Sequence, residues 1–324
     1  TRRSSDLMNG LILSKDAARF AELARAQQAD FTAHTAHNLT ELEALNITQT
    51  NDVQWLLAEP SLAAAVLPQL PHLRWLQSTW AGVEPLLALP RRDYVLTNIR
   101  GVFAPLMAEF ILAHALAYER HVIAHHKAQQ QRRWFNDGRS STAGSLRGKT
   151  LLLLGVGSIG AGVAHTMRQM GMRVLGIARQ PRAVADIEQV GTFAQLPEFL
   201  PQADYVINTL PNTAQTQDFI NAAFFAQMKP TAVFINVGRG QAVLEDDLAQ
   251  ALRDGVIAHA ILDVYRVEPL PDDHVFWDTP NLVLTSHTSA PSFPQDIFKV
   301  FWDNYQRYTA GQTLHHIVDF TKGY

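Results

Sequence analysis

Three polar residues near the carboxyl end of the chain have side chains that together could reduce a carbonyl group. Arg239 stands between two glycines, Glu268 lies in the stretch VYRVEPLP, and His287 lies in the stretch TSHTSAP. A guanidinium group can hold a carboxylate and polarise an adjacent ketone oxygen. Imidazole can protonate that oxygen near neutral pH, and a nearby carboxylate favours imidazolium and fixes the ring tautomer. The three residue types therefore suit hydride transfer to a 2-oxo acid.

Each of these residues also has a purely structural interpretation. His287 alone could be a histidine satisfied in the core, Glu268 an acid of a surface loop, and Arg239 a helix cap or an ion-pair partner. The catalytic hypothesis depends on their joint occurrence, each after a predicted buried strand, downstream of a nucleotide-binding motif. Ligands of open α/β sheets bind beyond the carboxyl ends of the strands, where all three residues would lie.

The nucleotide-binding motif is the stretch GVGSIG, which lies between an apolar run and a helical pattern. In such a motif the first glycine permits a tight turn, the second lets a pyrophosphate approach the backbone, and the third lets the helix lie close to the strand. The start of the helix then offers N–H groups to the phosphates. Glycines that serve only a tight turn are the alternative. The predicted cofactor-binding residues of the motif are Gly155, Val156, Gly157, Ser158, Ile159 and Gly160.

The end of the next predicted strand indicates which cofactor is bound. Proteins that prefer NAD(H) usually carry an acid there for the ribose 2′-hydroxyl, but the stretch GIARQPRAV has none. Arg179 and Arg182, with Gln180 between them, suit a 2′-phosphate, because guanidinium groups form bidentate charge-assisted hydrogen bonds with it. We therefore expect NADP(H) as the preferred cofactor, with NAD(H) possible. Solvated arginines without a ligand are the alternative.

The elements that must position these residues alternate between strands and helices. An early series of short strands and helices starts with a strand at 7–14 and a helix at 16–28. A long helix is predicted over 103–122, and a last helix over 294–311 is expected to pack back on the first domain. Nearly continuous apolar runs predict strands buried on both faces of a parallel sheet at 150–155, 172–178, 204–210, 231–237, 259–264 and 281–286.

The predicted fold class is α/β, with two Rossmann-like or flavodoxin-like parallel-sheet domains. The cofactor domain is expected to be inserted into a discontinuous substrate domain. Residues 1–98 and 289–324 would form the substrate domain, and residues 99–288 would form the NADP-binding Rossmann domain.

Composition narrows the class of protein. The chain has 324 residues, enough for two domains, and 47% of them are hydrophobic, which is typical of a globular fold. A formal net charge of −3 argues against a nucleic-acid partner bound by bulk electrostatics. The absence of cysteine excludes a thiolate nucleophile and a cysteine-bound metal. It also fits a reducing compartment, so we expect a cytoplasmic protein.

The sequence favours neither a membrane span nor a metal site. The most apolar helix candidate, residues 103–122, carries Glu109, His114, Glu119 and Arg120. His121 and His125 have the spacing of zinc ligands on a helix, but no third ligand or catalytic glutamate follows the metalloprotease pattern. We therefore predict that the protein has no membrane anchor and no metal.

Together, the stretches GVGSIG, NTLPNTAQT, INVGRG, DVYRVEPLP and HTSA resemble the D-isomer-specific 2-hydroxyacid dehydrogenase family, over essentially the whole chain. The stretch RQPR is most similar to the glyoxylate/hydroxypyruvate reductases of that family that prefer NADPH. The resemblance implies reduction of a small 2-oxo acid to the (R)-2-hydroxy acid, with His287 as proton donor, Arg239 as substrate anchor and Glu268 as the partner of the histidine. It also implies a homodimer formed largely through the cofactor domains.

The resemblance gives roles to two further sets of residues. A loop with the sequence STWAGVE is similar to the family's substrate loop, whose backbone N–H groups bind the substrate carboxylate; its members are Trp80, Ala81, Gly82 and Val83. Trp80 stands where relatives often have a glycine, which bears on the size of the accepted substrate. Further cofactor contacts are implied for Leu210, Pro211 and Thr216 on the adenosine side, and for Val237, Gly238 and Asp263 near the nicotinamide carboxamide.

Two other functions are compatible with the same fold. A cofactor-sensing module, such as a corepressor, can keep the same three polar residues, although this chain lacks an acidic, basic or proline-rich tail for a partner. Oxidation of formate or phosphite is the other; formate enzymes of this group pair the histidine with glutamine, so Glu268 argues against formate.

Overall fold

The chain folds into two units, each built around a parallel sheet. The structure, a computed structural model, describes residues 9–45, 52–135 and 144–323, so the start of the strand predicted at 7–14 lies outside the described residues. The first unit comprises residues 1–102 and 292–324, and the second comprises residues 103–291. The division into substrate and cofactor domains with limits at 98 and 288 stays a prediction.

The first unit has a five-stranded sheet in the order β2-β1-β3-β4-β5, in which every pairing is parallel. This is the flavodoxin-like order of a doubly wound fold. Numbered along the chain, its strands are β1 (Gly10–Leu13), β2 (His34–Ala36), β3 (Trp55–Ala58), β4 (Trp75–Ser78) and β5 (Val95–Thr97). Its helices are α1 (Ala17–Gln27), α2 (Leu39–Ala44), α3 (Pro60–Val66), α4 (Glu84–Leu87) and α11 (Pro294–Thr309).

The last helix, α11, packs on the sheet of the first unit. The ring of Phe301 stacks on Trp75 of β4, with 5.7 Å between the ring centroids. Asn304 is fully buried, and its Nδ2 donates a hydrogen bond to Gln77 Oε1 at 3.0 Å. An apolar face and one buried amide pair therefore fix the helix against the strands, as expected from the sequence.

The second unit has a seven-stranded parallel sheet in the order β12-β11-β10-β9-β6-β7-β8. The chain order reverses between β6 and β9, as in a Rossmann fold with one additional strand. Its strands are β6 (Thr150–Leu154), β7 (Arg173–Ile177), β8 (Gln189–Gly191), β9 (Tyr205–Asn208), β10 (Val233–Asn236), β11 (His259–Leu262) and β12 (Leu282–Leu284). Its helices are α5 (Ala104–Glu119), α6 (Val122–Gln130), α7 (Ser158–Gln169), α8 (Leu196–Phe199), α9 (Ala222–Phe225) and α10 (Glu245–Arg253).

The helix predicted over residues 103–122 is α5, and a second helix, α6, follows it directly. α5 ends at Glu119, and α6 starts at Val122 after His121, whose φ of 52° lies in the left-handed region and cannot continue a helix. The second helix was missed because most of it falls in a polar stretch without a clear apolar face. In the described residues, no helix is both long enough and apolar enough to cross a membrane.

Candidate active site

The glycine motif forms an open cradle between β6 and α7. Gly155 turns the chain with a φ of +96°, which favours glycine. A Cβ on Gly157 would meet no described atom within 4 Å, so a ligand can approach the backbone there. A Cβ on Gly160 would lie 2.3 Å from the carbonyl oxygen of Gly155, so only glycine lets α7 pack against the turn. The cradle therefore fits a pyrophosphate at the start of α7.

The segment after β7 brings a guanidinium group to this cradle. Arg179, Gln180 and Arg182 are exposed. The Nη2 atom of Arg182 donates a hydrogen bond to the carbonyl oxygen of Val156 at 3.0 Å, which places a positive charge beside the glycine motif. Val156 itself is buried, while Ser158 and Ile159 form the first turn of α7. Cofactor binding by these residues stays a prediction.

Two buried asparagines, which the sequence reasoning missed, connect the next two strand ends. Asn208 and Asn236 end β9 and β10, lie opposite each other in the register, and are joined by a 2.9 Å hydrogen bond from Asn208 Nδ2 to Asn236 Oδ1. Each Oδ1 also accepts the backbone N–H two residues further on, from Leu210 and Gly238, both at 3.1 Å. An asparagine at the end of each of two neighbouring apolar strands was the available signal.

The glycines on either side of Arg239 allow neighbouring backbones to approach. A Cβ on Gly238 would lie 2.8 Å from the carbonyl oxygen of Leu210, and one on Gly240 would lie 1.9 Å from the carbonyl carbon of Tyr265. Arg239 is partly buried, and its Nη1 donates to the carbonyl oxygen of Gly238 at 2.8 Å. The glycines thus serve the packing of the strand ends.

The loop after β9 closes on itself through Thr216. This residue is buried, and its hydroxyl donates to the carbonyl oxygen of Pro211 at 2.6 Å and accepts the N–H of Thr213 at 2.9 Å. Leu210 and Val237 are buried, and Pro211 is exposed. Thr216 therefore shapes the loop, and the contacts of these residues with a cofactor stay a prediction.

Asp263 holds the loop that carries His287. Its carboxylate is fully buried and accepts hydrogen bonds from Thr285 Oγ1 at 2.6 Å and from the N–H groups of Thr288 and Ser289, both at 2.8 Å. Its carbonyl oxygen accepts the N–H of His287 at 2.8 Å. These bonds hold His287 with a φ of 54°, in the left-handed region. A carboxamide contact of Asp263, implied by the resemblance, stays a prediction.

His287 and Glu268 meet at this edge of the sheet. His287 Nδ1 lies 2.7 Å from Glu268 Oε2, and the N–H of Tyr265 donates to the other carboxylate oxygen at 2.9 Å. The carboxylate is thus fixed by a backbone bond on one side and by the imidazole on the other. With Nδ1 engaged, Nε2 is the ring nitrogen that faces any further partner.

The pair shifts the pKa values of both groups. The hydrogen bond that His287 donates to Glu268 raises the pKa of His287 above its ordinary value, against burial and the charge of Arg239, which lower it. Burial alone would raise the pKa of Glu268, but hydrogen bonds from His287 and Tyr265, with the charges of His287 and Arg239, hold that pKa below its ordinary value. The geometry therefore favours an imidazolium–carboxylate pair near neutral pH.

The predicted substrate loop belongs to the first unit, whereas Arg239, Glu268 and His287 belong to the second. The loop follows β4, where the Ser78 hydroxyl accepts the N–H of Trp80 at 3.0 Å and donates to its carbonyl oxygen at 2.9 Å. The Trp80 side chain is 47% exposed. The residues after it become progressively less accessible: Ala81 and Gly82 are partly exposed, and Val83 is buried.

Comparison with known proteins identifies the family to which the chain belongs. The family model described as D-isomer specific 2-hydroxyacid dehydrogenase, NAD binding domain, matches residues 112–289. The chain belongs to the D-isomer specific 2-hydroxyacid dehydrogenase family. It is 35% identical to the glyoxylate/hydroxypyruvate reductase A of Serratia proteamaculans (strain 568) over 253 aligned residues. The aligned region covers 75% of this chain and 79% of that protein.

Two solved structures of the family resemble the chain along its length. A D-isomer specific 2-hydroxyacid dehydrogenase family protein from Aeromonas salmonicida subsp. salmonicida A449 is 41% identical, with a TM-score of 0.90, over 97% of this chain and 100% of that chain. The NADPH-dependent glyoxylate/hydroxypyruvate reductase of Sinorhizobium meliloti, in complex with NADP and sulfate, is 27% identical, with a TM-score of 0.85. The match covers 98% of this chain and 99% of that chain.

Membership in the 2-hydroxyacid dehydrogenase family confirms three predictions from the sequence. The fold is α/β with a Rossmann-type domain, the chain is an oxidoreductase, and its cofactor is a nicotinamide dinucleotide. Within residues 9–45, 52–135 and 144–323, no group of three potential metal-ligating side chains occurs.

The raised pKa of His287 yields a direct test of the pair. We expect Glu268→Gln to lower the pKa of His287, because the hydrogen bond and the charge of Glu268 are what raise it. The measurement is the pH titration of the His287 ring by NMR. Glu41→Gln, which changes the exposed pair between Glu41 and His37, is the control and should leave that titration unchanged. An unaltered pKa in Glu268→Gln would contradict the assignment.

Proposed function

We propose that the chain reduces a small 2-oxo acid of the glyoxylate or hydroxypyruvate type to the (R)-2-hydroxy acid, with NADPH as the reductant. The observation that carries the proposal is the 2.7 Å hydrogen bond between His287 and Glu268, within reach of the charge of Arg239. The names of the Serratia and Sinorhizobium relatives, both glyoxylate/hydroxypyruvate reductases, support this substrate class.

The three side chains have distinct roles in the proposed reaction. NADPH, when bound, supplies a hydride for the carbonyl carbon. His287 gives its Nε2 proton to the carbonyl oxygen as negative charge builds there, because its Nδ1 is engaged by Glu268. Glu268 favours the imidazolium form before that transfer and keeps the ring in one orientation. Arg239 binds the substrate carboxylate and polarises the ketone.

The preference for NADP(H) rests on Arg179 and Arg182. The bond from Arg182 to the Val156 carbonyl holds one guanidinium at the glycine cradle, and residues 178–185, directly after β7, include no acid that could accept a hydrogen bond from a free 2′-hydroxyl. The Sinorhizobium structure contains NADP, and that of a relative from Xanthobacter autotrophicus Py2 contains NADPH. NAD(H) remains an expected second cofactor of lower affinity.

We further infer that the chain acts as a homodimer joined through its cofactor unit. Large apolar side chains on and after α6 are exposed, among them Val122 at 52%, Ile123 at 50% and Trp134 at 90%. Val122, Trp134 and Phe135 line one open cleft together with basic side chains. Apolar patches of this kind mark association surfaces in soluble proteins, and a second copy of the chain is the expected occupant.

The other functions considered from the sequence are not favoured. The Serratia and Sinorhizobium relatives are named as reductases, which favours an enzyme over a cofactor-sensing corepressor. Glu268, hydrogen-bonded to His287, occupies the place where a formate enzyme would carry glutamine.

Removing the proton donor or the substrate anchor should abolish most of the activity. We expect His287→Ala and Arg239→Ala each to lower kcat/KM for glyoxylate by about 10²–10⁴-fold, since each removes a group that acts on the developing oxyanion. Oxidation of NADPH is followed by absorbance. His37→Ala is the matched control, because His37 also pairs with a glutamate, at 2.8 Å, but on the surface of the first unit. Near-normal turnover in either variant would refute the assigned roles.

The two arginines after β7 should discriminate between the cofactors. We expect the double change Arg179→Gln and Arg182→Gln to weaken NADPH binding by about 10²-fold or more and NADH binding by far less, because only NADPH carries the 2′-phosphate. Dissociation constants come from the fluorescence of the reduced nicotinamide. Arg173→Gln is the control, since Arg173 starts the same strand and pairs with Glu188. Equal losses for both cofactors would show that the arginines do not contact the 2′-phosphate.

The dimer proposal predicts a mass change on charging the apolar surface. We expect light scattering to give twice the mass of one chain for the wild type. Replacing both Val122 and Trp134 by lysine should give a monomer, because the basic side chains that line the same cleft cannot neutralise the added positive charges. Met170→Lys, at another partly exposed apolar position, should leave the dimer intact. A monomeric wild type, or a dimeric double variant, would contradict the proposal.

A further inference from the structure

Two consecutive carbonyl groups of the substrate loop are held from one side, by the segment that follows β5. The N–H of Ile99 donates to the carbonyl oxygen of Trp80 at 3.2 Å. Asn98 Nδ2 donates to the carbonyl oxygen of Ala81 at 2.7 Å. The Trp80 oxygen also accepts the Ser78 hydroxyl, at 2.9 Å. Both peptide planes are therefore fixed in orientation.

The orientation of these carbonyls decides where the loop's N–H groups point. The peptides that follow Trp80 and Ala81 are trans, and in a planar trans peptide the N–H points opposite to the carbonyl. The N–H groups of Ala81 and Gly82 therefore point away from the segment at 98–99. Within the part of the chain that the structure describes, no protein acceptor takes the N–H of Ala81, Gly82 or Val83. Three successive donors thus remain for an anionic ligand.

Asn98 is itself held so that its amide can face only one way. The residue is 5% exposed, and its backbone N–H donates to the carbonyl oxygen of His316 at 3.2 Å. Its Oδ1 accepts a hydrogen bond from Arg100 Nε at 3.1 Å. A flipped amide would turn its NH₂ group to the guanidinium and its oxygen to the Ala81 carbonyl, losing both bonds. Arg100 thus fixes Asn98, and Asn98 fixes Ala81.

We infer that Asn98 is a positioning residue for the substrate carboxylate, acting through the peptide between Ala81 and Gly82. Without the Nδ2 donor this peptide can rotate, and the N–H of Gly82 is no longer held toward the ligand. The inference rests on the proposed function, because it takes the loop from Trp80 to Val83 as the carboxylate site. In this inference, Asn98 does not touch the substrate but determines how tightly the loop binds the substrate carboxylate.

The test compares two buried asparagines of the same unit. Asn98→Asp keeps the shape of the side chain and an oxygen for Arg100 but removes the donor to Ala81. Asn304→Ala removes bonds to Gln77 and His315 that are equally buried and do not involve the substrate loop. The probe is oxamate, a carboxylate analogue of a 2-oxo acid, titrated calorimetrically into the NADPH-saturated protein. NADPH affinity and thermal stability are measured on the same samples.

We expect Asn98→Asp to weaken oxamate binding at least about tenfold, because one charge-assisted hydrogen bond to the carboxylate is lost. Asn304→Ala should lower thermal stability and leave oxamate affinity within about twofold. Asn98→Ala, which removes the donor without adding a charge, is measured in the same way and should show the same loss, because the negative charge of Asn98→Asp alone would also repel oxamate. NADPH affinity should be the same in all variants.

Equal oxamate affinity in the wild type and the Asn98 variant would overturn the inference, as would a wild type that does not bind oxamate. If the wild type binds oxamate but reduces no 2-oxo acid, the proposed function is wrong. The Asn98 comparison would still decide the inference in that case.

Discussion

The hydrogen bond between His287 and Glu268 depends on two loops, which follow the neighbouring parallel strands β11 and β12. These two loops are hydrogen-bonded to each other. Tyr265, in the loop after β11, gives its backbone N–H to Glu268 and its hydroxyl to the carbonyl oxygen of Thr285, at 2.9 and 2.5 Å. Asp263, at the start of the same loop, binds the loop that follows β12 through both carboxylate oxygens. Glu268 and His287 are therefore placed by bonds between loops, and a change in the strand register would separate them.

At the ends of β9 and β10, the loops are held in place by neutral side chains, where the loops after β11 and β12 are held by carboxylates. Where β9 and β10 end, their ladder of backbone bonds also ends, and buried N–H groups need new acceptors. Asn208 and Asn236 supply these acceptors and bond to each other, so the two loops leave the sheet as one layer. Gly238 and Gly240 then let the loops lie in contact, where any side chain would collide with a neighbouring backbone. The position of Arg239 follows from packing before any substrate binds.

The sequence predicted β6, β7, β9, β10 and β11 as buried strands because each is a nearly continuous apolar run, whereas β12, predicted in the same way, is only partly buried. The roles of the polar residues that follow these strands stay a prediction. The sequence missed the short strands β2, β5 and β8, which have three residues each, too few for a readable periodicity. It named Asp263 as a cofactor residue but could not show that its carboxylate binds Thr288 and Ser289. Such partners depend on how two distant loops meet, and one sequence does not specify that.

The ion pair of His287 and Glu268 contributes little to the free energy of unfolding. The two side chains are 49% and 35% exposed, and ion pairs this accessible contribute about 0–1 kcal/mol. The left-handed backbone of His287 costs about 1–2 kcal/mol for a residue with a Cβ. The surface pair of His37 and Glu41, at 2.8 Å, joins residues four apart at the start of α2 and needs no such backbone. The backbone of His287 is instead held by the bonds that Asp263 makes to its loop, so the position of the imidazole is set by its surroundings and not by the ion pair.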